Sequence, residues 1–305
     1  MEASRLKVGV QLPEVEYVAR WPELRAMARA AERAGFDSIW VGDHLLYRYP
    51  DGPRGPWEAW STLAALAAVT ERVEIGPLVA ATSFHNPAML AKKAATIDEI
   101  SGGRLILGLG AGWNEAEYAA YGFPFDNRAS RFEEAFTIIR TLLREGEIDF
   151  AGRFHEARDC VLLPRGPRPQ GPPLMIGSIG ERMLRIALPH VDAWNAWYAW
   201  FGNDVARLRE TLAAIDAACE AVGRDPVTLE RTVAVLVRMA GGEGRDEVDR
   251  RGRTSRPLSG SPRQIADGLL AFREAGVGHV QLVVDPIDRR SIEELQPALE
   301  LVHAG

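Results

Sequence analysis

Short apolar runs alternate with longer stretches of helical spacing nearly from end to end of the chain. The runs that read as strands are Leu6 to Leu12, Ser38 to Val41, Val73 to Val79, Arg104 to Leu109, Leu174 to Ile176, Val191 to Trp194, Arg231 to Met239 and His279 to Val284, eight in all. Between them apolar residues recur every three or four positions, which lines one face of an α-helix. Leu24, Met27, Ala28 and Ala31 form one such set, and Phe132, Ala135, Phe136, Ile139 and Leu143 another. Val205, Leu208, Leu212, Ile215 and Cys219 form a third, and Ile292, Leu295, Leu299 and Val302 the last. Gly35, Gly223 and Gly276 stand where three of these helices should stop, as left-handed caps.

Alternating strand and helix is the pattern of βα units around a parallel sheet. Eight units predict an α/β fold, a TIM (β/α)8 barrel, which needs about 250 residues and leaves roughly 50 for insertions after strands 4 and 7. Residues 146 to 173 alternate in polarity and then turn rich in Pro, Arg and Gly, which predicts an excursion with a small hairpin. Residues 241 to 261 are polar and Gly/Arg-rich, and predict a loop in which only Asp246 to Arg251 can make a helical turn. A doubly wound open sheet is the alternative, because alternation alone does not say whether the sheet closes. No linker or repeat divides the chain, so residues 1 to 305 are expected to be a single domain.

Composition narrows the partners. The chain holds 36 Lys and Arg against 42 Asp and Glu, a net charge of -6 with no basic cluster. Nucleic acid is therefore not expected, since binding it needs a concentrated cationic face; a small-molecule substrate is. The first residues lack the apolar core of a signal peptide and no run of about 18 apolar residues occurs, which predicts a cytoplasmic protein without a membrane partner. Cys160 and Cys219 are too far apart for a disulfide framework or metal motif, and Cys219 falls on a helix's apolar stripe. The six histidines (44, 85, 155, 190, 279 and 303) show no metal-binding spacing, so no metal is expected.

In such a barrel chemistry belongs at the C-terminal ends of the strands. Asp43 and His44 emerge there after strand 2, and an Asp beside a His can fix the ring's tautomer for acid/base work. After strand 4, Gly110, Ala111 and Gly112 lead into Trp113; closely spaced glycines let backbone approach a planar ligand or phosphate, or simply make a tight turn. After strand 5, Gly177, Ser178, Ile179 and Gly180 open into a helix, which suits a phosphate cradle or a plain N-cap by Ser178. Trp57, Trp60, Trp113, Trp194, Trp197 and Trp200 all fall on this side, as walls for a flat ligand or as a lid over the core, whereas Trp40 is core.

Four stretches carry a resemblance: SIWVGDHL, SFHNPAMLAKKAATID from Ser83, EISGGRLILGLGAGWNEAEYAAYGFPF from Glu99, and PPLMIGSIGERMLRIALPHVDAWN from Pro172. Together they resemble the luciferase-like flavin and F420-dependent oxidoreductase superfamily, and its F420-dependent branch through the Asp-His after strand 2. The resemblance implies a barrel enzyme, often a homodimer, that binds coenzyme F420 or, alternatively, FMN at the barrel mouth. It gives His44 the role of proton donor or acceptor beside the ring, with Asp43 alongside. It places the ring near Gly110, Ala111 and Gly112, the phosphate at Gly177 to Gly180, and a bulge, often with a non-prolyl cis peptide, near Leu78, Val79 and Ala80. Trp57, Trp113 and Trp197 are the expected substrate walls. Sugar-phosphate dehydrogenases of the branch carry a Glu where Trp113 stands, which argues against a phosphorylated sugar. Three activities follow: hydride transfer with F420; an FMN-dependent two-component monooxygenase served by a separate reductase; or a flavin-binding barrel without catalysis.

Overall fold

The computed structural model describes residues 5–242 and 254–305. The expected helical turn at Asp246 to Arg251 lies outside the described residues. The strands are β1 (Lys7–Gln11), β2 (Ser38–Val41), β3 (Tyr47–Tyr49), β4 (Gly52–Arg54), β5 (Glu74–Pro77), β6 (Ala80–Ala81), β7 (Leu107–Gly110), β8 (Glu147–Ala151), β9 (Glu156–Val161), β10 (Leu174–Gly177), β11 (Ala193–Ala196), β12 (Glu230–Arg238) and β13 (His279–Asp285). The helices are α1 (Trp21–Ala34), α2 (Ala59–Val69), α3 (Pro87–Ser101), α4 (Glu115–Tyr121), α5 (Arg128–Arg144), α6 (Glu181–Ala187), α7 (Tyr198–Phe201), α8 (Val205–Ala221), α9 (Pro262–Glu274), α10 (Arg289–Glu294) and α11 (Gln296–Ala304).

One parallel sheet runs β5-β2-β1-β13-β12-β11-β10-β7-β6. Ile75 of β5 bridges Leu105, just ahead of β7, by accepting from Ile106 N–H at 2.8 Å and donating to the Arg104 carbonyl at 3.0 Å. These bonds join the two ends of the sheet, so it closes into a barrel and the open doubly wound alternative falls. Segments β5 and β6 are two halves of one stave, and the ring has eight. The chain breaks that stave at a cis peptide between Leu78 and Val79, where the sequence predicts one unbroken strand from Val73 to Val79.

The helical faces read from spacing are the buried ones. Leu24, Met27, Ala28 and Ala31 of α1 and Leu208, Leu212, Ile215 and Cys219 of α8 all face inward, each large side chain contributing about 1.5–3 kcal/mol of burial. Inside the barrel Trp40 is fully buried, as expected. Glycines give it room: a Cβ on Gly9 would lie 2.7 Å from the Trp40 Nε1, and one on Gly76 2.7 Å from its ring. Trp40 Nε1 donates to Ser38 Oγ at 2.7 Å, and Ser38 pairs with His279 Nε2 at 2.7 Å. Burial, aided by the Lys7 charge, pushes His279 down to about 3, so this imidazole stays neutral and structural.

The excursion holds the expected hairpin, β8 against β9. Its Pro/Arg/Gly stretch is tied down by Arg168, whose Nε and Nη2 grip the fully buried Asp98 carboxylate at 3.0 and 2.5 Å. A second hairpin, β3 against β4, was not expected, because three-residue strands are too short to show alternation. No helix among the described residues is long and apolar enough to cross a membrane.

Candidate active site

His44 leaves the end of β2 with its side chain 19% exposed at the barrel mouth. The partner that fixes its ring is Glu117 of α4, not Asp43. His44 Nδ1 lies 2.9 Å from Glu117 Oε1, while Glu117 Oε2 accepts from the backbone N–H groups of Leu45 at 2.8 Å and Leu46 at 3.3 Å. Glu117 is fully buried, so one carboxylate holds both the imidazole and the chain that carries it. Glu14, from the loop after β1, is 4.0 Å from His44 Nε2 and accepts from Tyr47 Oη at 3.2 Å. Burial pushes the His44 pKa down, but the Glu117 hydrogen bond and the charges of Glu14, Glu117 and Asp43 outweigh it and leave the value raised. Tyr47 and Trp113 flank the ring at centroid distances of 4.8 and 5.7 Å.

Asp43 turns to other partners, beyond the end of β2. It is buried, its Oδ2 accepting from Ala81 N–H at 2.9 Å and lying 3.0 Å from His85 Nε2. Its hydrogen bonds thus secure the stave just beyond the cis peptide rather than the His44 tautomer.

The glycines after strands 4 and 5 make room for protein side chains, where the sequence suggests room for a ligand. A Cβ on Gly108, Gly110 or Gly177 would lie 2.8, 3.0 or 2.9 Å from the methyls of Val79. A Cβ on Gly112, whose φ is +71°, would meet Tyr118 Oη. Val79, carried by the cis peptide, therefore sits on a bed of three glycines and forms part of the mouth's floor, with Ala80 buried behind it. Gly177→Ala should cost about 1–3 kcal/mol by overpacking. In chemical denaturation the Val79→Ala, Gly177→Ala pair should regain most of that loss; strict additivity of the two costs would contradict the contact.

At the end of β10, Trp194 Nε1 donates to the Ser178 carbonyl at 2.7 Å and pins the loop. Gly180, not Ser178, caps α6, and no side chain bonds the helix's first amides; Ile179 is exposed. Arg182 is turned away to Ser130 and Glu133. The tryptophans divide. Trp60 and Trp194 are buried, in keeping with the lid alternative, whereas Trp57 and Trp113 are exposed. Trp57 lines a cleft of about 160 Å³ with Glu14, Tyr17 and Pro56. Trp197 packs on Tyr198 at 4.7 Å after β11, diametrically across the ring of staves from β2. Glu14 and Glu117 were missed by sequence reasoning: Glu117 lies inside the stretch that begins at Glu99, but on a helical face that spacing cannot aim at His44. No group of metal-binding side chains occurs among the described residues.

Residues 4–256 match the family model described as luciferase-like monooxygenase. The chain is 31% identical to an F420-dependent glucose-6-phosphate dehydrogenase of Amycolatopsis mediterranei, over 75% of this chain and 68% of the relative. It is 30% identical to a phthiodiolone/phenolphthiodiolone dimycocerosates ketoreductase of Mycobacterium sp. (strain JLS), over 82% and 69%. In fold it is similar to an F420-dependent secondary alcohol dehydrogenase solved with an F420-acetone adduct, with a TM-score of 0.81, 19% identity, and 98% of this chain and 99% of that one covered. The closed barrel with its broken third stave and the match over residues 4–256 lead to one conclusion: the chain belongs to the luciferase-like monooxygenase family.

Proposed function

We propose that this oxidoreductase uses coenzyme F420 to move a hydride to or from a small organic substrate, with His44 handling the accompanying proton. The observation that carries the reading is the His44 setting: an imidazole at the mouth, held through Nδ1 by a buried carboxylate, its proton affinity raised, and its Nε2 left as the nitrogen that can exchange a proton. Relatives that are F420-dependent dehydrogenases support the cofactor.

When bound, the deazaflavin supplies the hydride chemistry at its C5. The mouth fits such a group: Val79 on its glycine bed offers a flat apolar floor, and the α6 start offers amides that no side chain caps. In this reading Val79, Ala80, Gly110, Ala111 and Gly112 border the ring, and Gly177, Ser178, Ile179 and Gly180 hold the phosphate. Asp43 supports the bulge, and His44 and Glu117 set the proton. Trp57, Trp113 and Trp197 wall the substrate, excluding water and fixing its approach. Homodimer assembly and a separate reductase belong to the same reading.

The test is turnover: the protein loaded with oxidised F420 is offered a panel of neutral alcohols, and loss of the oxidised deazaflavin absorbance is followed. Reduction with at least one alcohol is expected. Oxygen uptake with supplied reduced FMN, and no F420 reduction, would favour the two-component monooxygenase instead; neither reaction would favour a non-catalytic flavin-binding barrel.

A further inference from the structure

The β3–β4 hairpin sets one tyrosine against His44 and a second behind it. Tyr47 and Tyr49 stand two apart on β3 and present their rings to one side, stacked with centroids 6.1 Å apart and planes at 23°. Trp113, just ahead of α4, lies 6.3 Å from Tyr47 and 5.7 Å from His44, so the rings run without a break from His44 out to Tyr49. Tyr49 is 40% exposed and Trp113 62%. Exposed apolar surface gathered beside a reactive group, rather than scattered singly, marks a binding groove.

This wall is built into the site. Leu45 and Leu46 lead into β3, and both their N–H groups donate to Glu117. Their carbonyls accept from the same region, Leu45 from Tyr121 Oη at 3.4 Å and Leu46 from Asn114 Nδ2 at 2.9 Å. The helix that holds the imidazole therefore holds the hairpin too, and a ligand lying on these rings has little to order first. Charge narrows the ligand further. The charges that act on His44, those of Glu117, Glu14 and Asp43, are negative and disfavour an anion at the reacting carbon. At the outer end the Arg54 guanidinium covers the Tyr49 ring, 4.9 Å from its centroid, and is paired with Asp51, so it offers no net charge. Next to Trp113, Arg128 is engaged by the Gly112 carbonyl at 2.6 Å and by the Phe125 ring at 4.1 Å.

On the reading of His44 as the group that handles the proton, we infer that the substrate is an uncharged aryl carbinol, or the aryl ketone that pairs with it, with its reacting carbon at His44 and its planar rings along Trp113, Tyr47 and Tyr49. A hydride passes between the carbinol carbon and the deazaflavin, and the hydroxyl proton passes between its oxygen and His44 Nε2. Tyr49, the outermost ring, sets how far along its body a substrate is recognised. Flat faces gain from offset stacking on these rings, where a saturated ring of the same size gains burial alone.

Methyl ketones test this by binding, since a ketone cannot reduce oxidised F420. Acetone, acetophenone and 2-acetylnaphthalene are titrated into the protein with and without oxidised F420, and the His44 ring shifts are followed. Affinity is expected to rise about tenfold with each added ring, and cyclohexyl methyl ketone to bind about threefold or more weaker than acetophenone. Tyr49→Ala should lower the affinity for 2-acetylnaphthalene about fivefold and that for acetophenone less, and Tyr49→Phe should restore it. Three results would each overturn the inference: cyclohexyl methyl ketone binding as tightly as acetophenone, 6-acetyl-2-naphthoate binding more tightly than 2-acetylnaphthalene, or Tyr49→Ala leaving the preference between the two aryl ketones unchanged. The expected order of affinities without F420 reduction by the matching alcohols would support recognition of the rings and overturn the F420 reading alone.

Discussion

His44→Ala is expected to lower turnover by at least about 100-fold, the usual worth of a positioned acid or base, while cofactor affinity changes only a few-fold. The division follows from the geometry. His44 touches Tyr47, Trp113 and two carboxylates, whereas the floor and the α6 loop are built from other staves. The loss should fall in kcat, because a group that moves a proton in the transition state contributes little to ground-state binding. Steady-state kinetics with the best alcohol, beside a binding titration, measures both. A loss confined to binding would remove His44 from the proton step and leave it a wall of the pocket.

Glu117→Gln should have the second largest effect, through the pH profile. His44 is raised above its usual 6.5 only because Glu117, Glu14 and Asp43 outweigh its burial. Without the Glu117 charge the His44 pKa should fall, moving the corresponding limb of the pH-rate profile toward acid. Stability follows with a definite sign. A folded pKa raised above the unfolded value contributes stability that is full below about 6.5 and is lost as pH rises through the folded value. The stability gap between the natural protein and Glu117→Gln should therefore be widest on the acid side and narrow with rising pH. Denaturant unfolding at several pH values tests it, and a gap that widened with pH would contradict the assignment of Glu117 as the partner that raises His44.

Much of this was legible in the chain because periodicity survives in long elements. The stripes of α1 and α8, the β8–β9 hairpin and the buried Trp40 follow from spacing alone. The broken third stave was legible only by resemblance: Val73 to Val79 reads as an ordinary strand, and a peptide isomer leaves no mark on polarity. Asp43 and His44 are adjacent in sequence but not partners: His44 is held by Glu117 and Asp43 lies against His85. Glu117 reaches His44 across 73 positions, and no local pattern encodes that. The glycines were located correctly and explained incompletely. What they accommodate is Val79 and Tyr118, which becomes visible only once the third stave is folded beside them.

Equilibrium titration of the purified protein with oxidised F420 and, separately, with FMN distinguishes the two cofactors. Quenching of protein fluorescence should report either ligand, since Trp57, Trp113 and Trp197 are expected to border the site. Saturable F420 binding at about micromolar concentration or tighter is expected, roughly tenfold or more stronger than FMN, a difference of about 1.4 kcal/mol. Micromolar FMN binding with no F420 binding would contradict it.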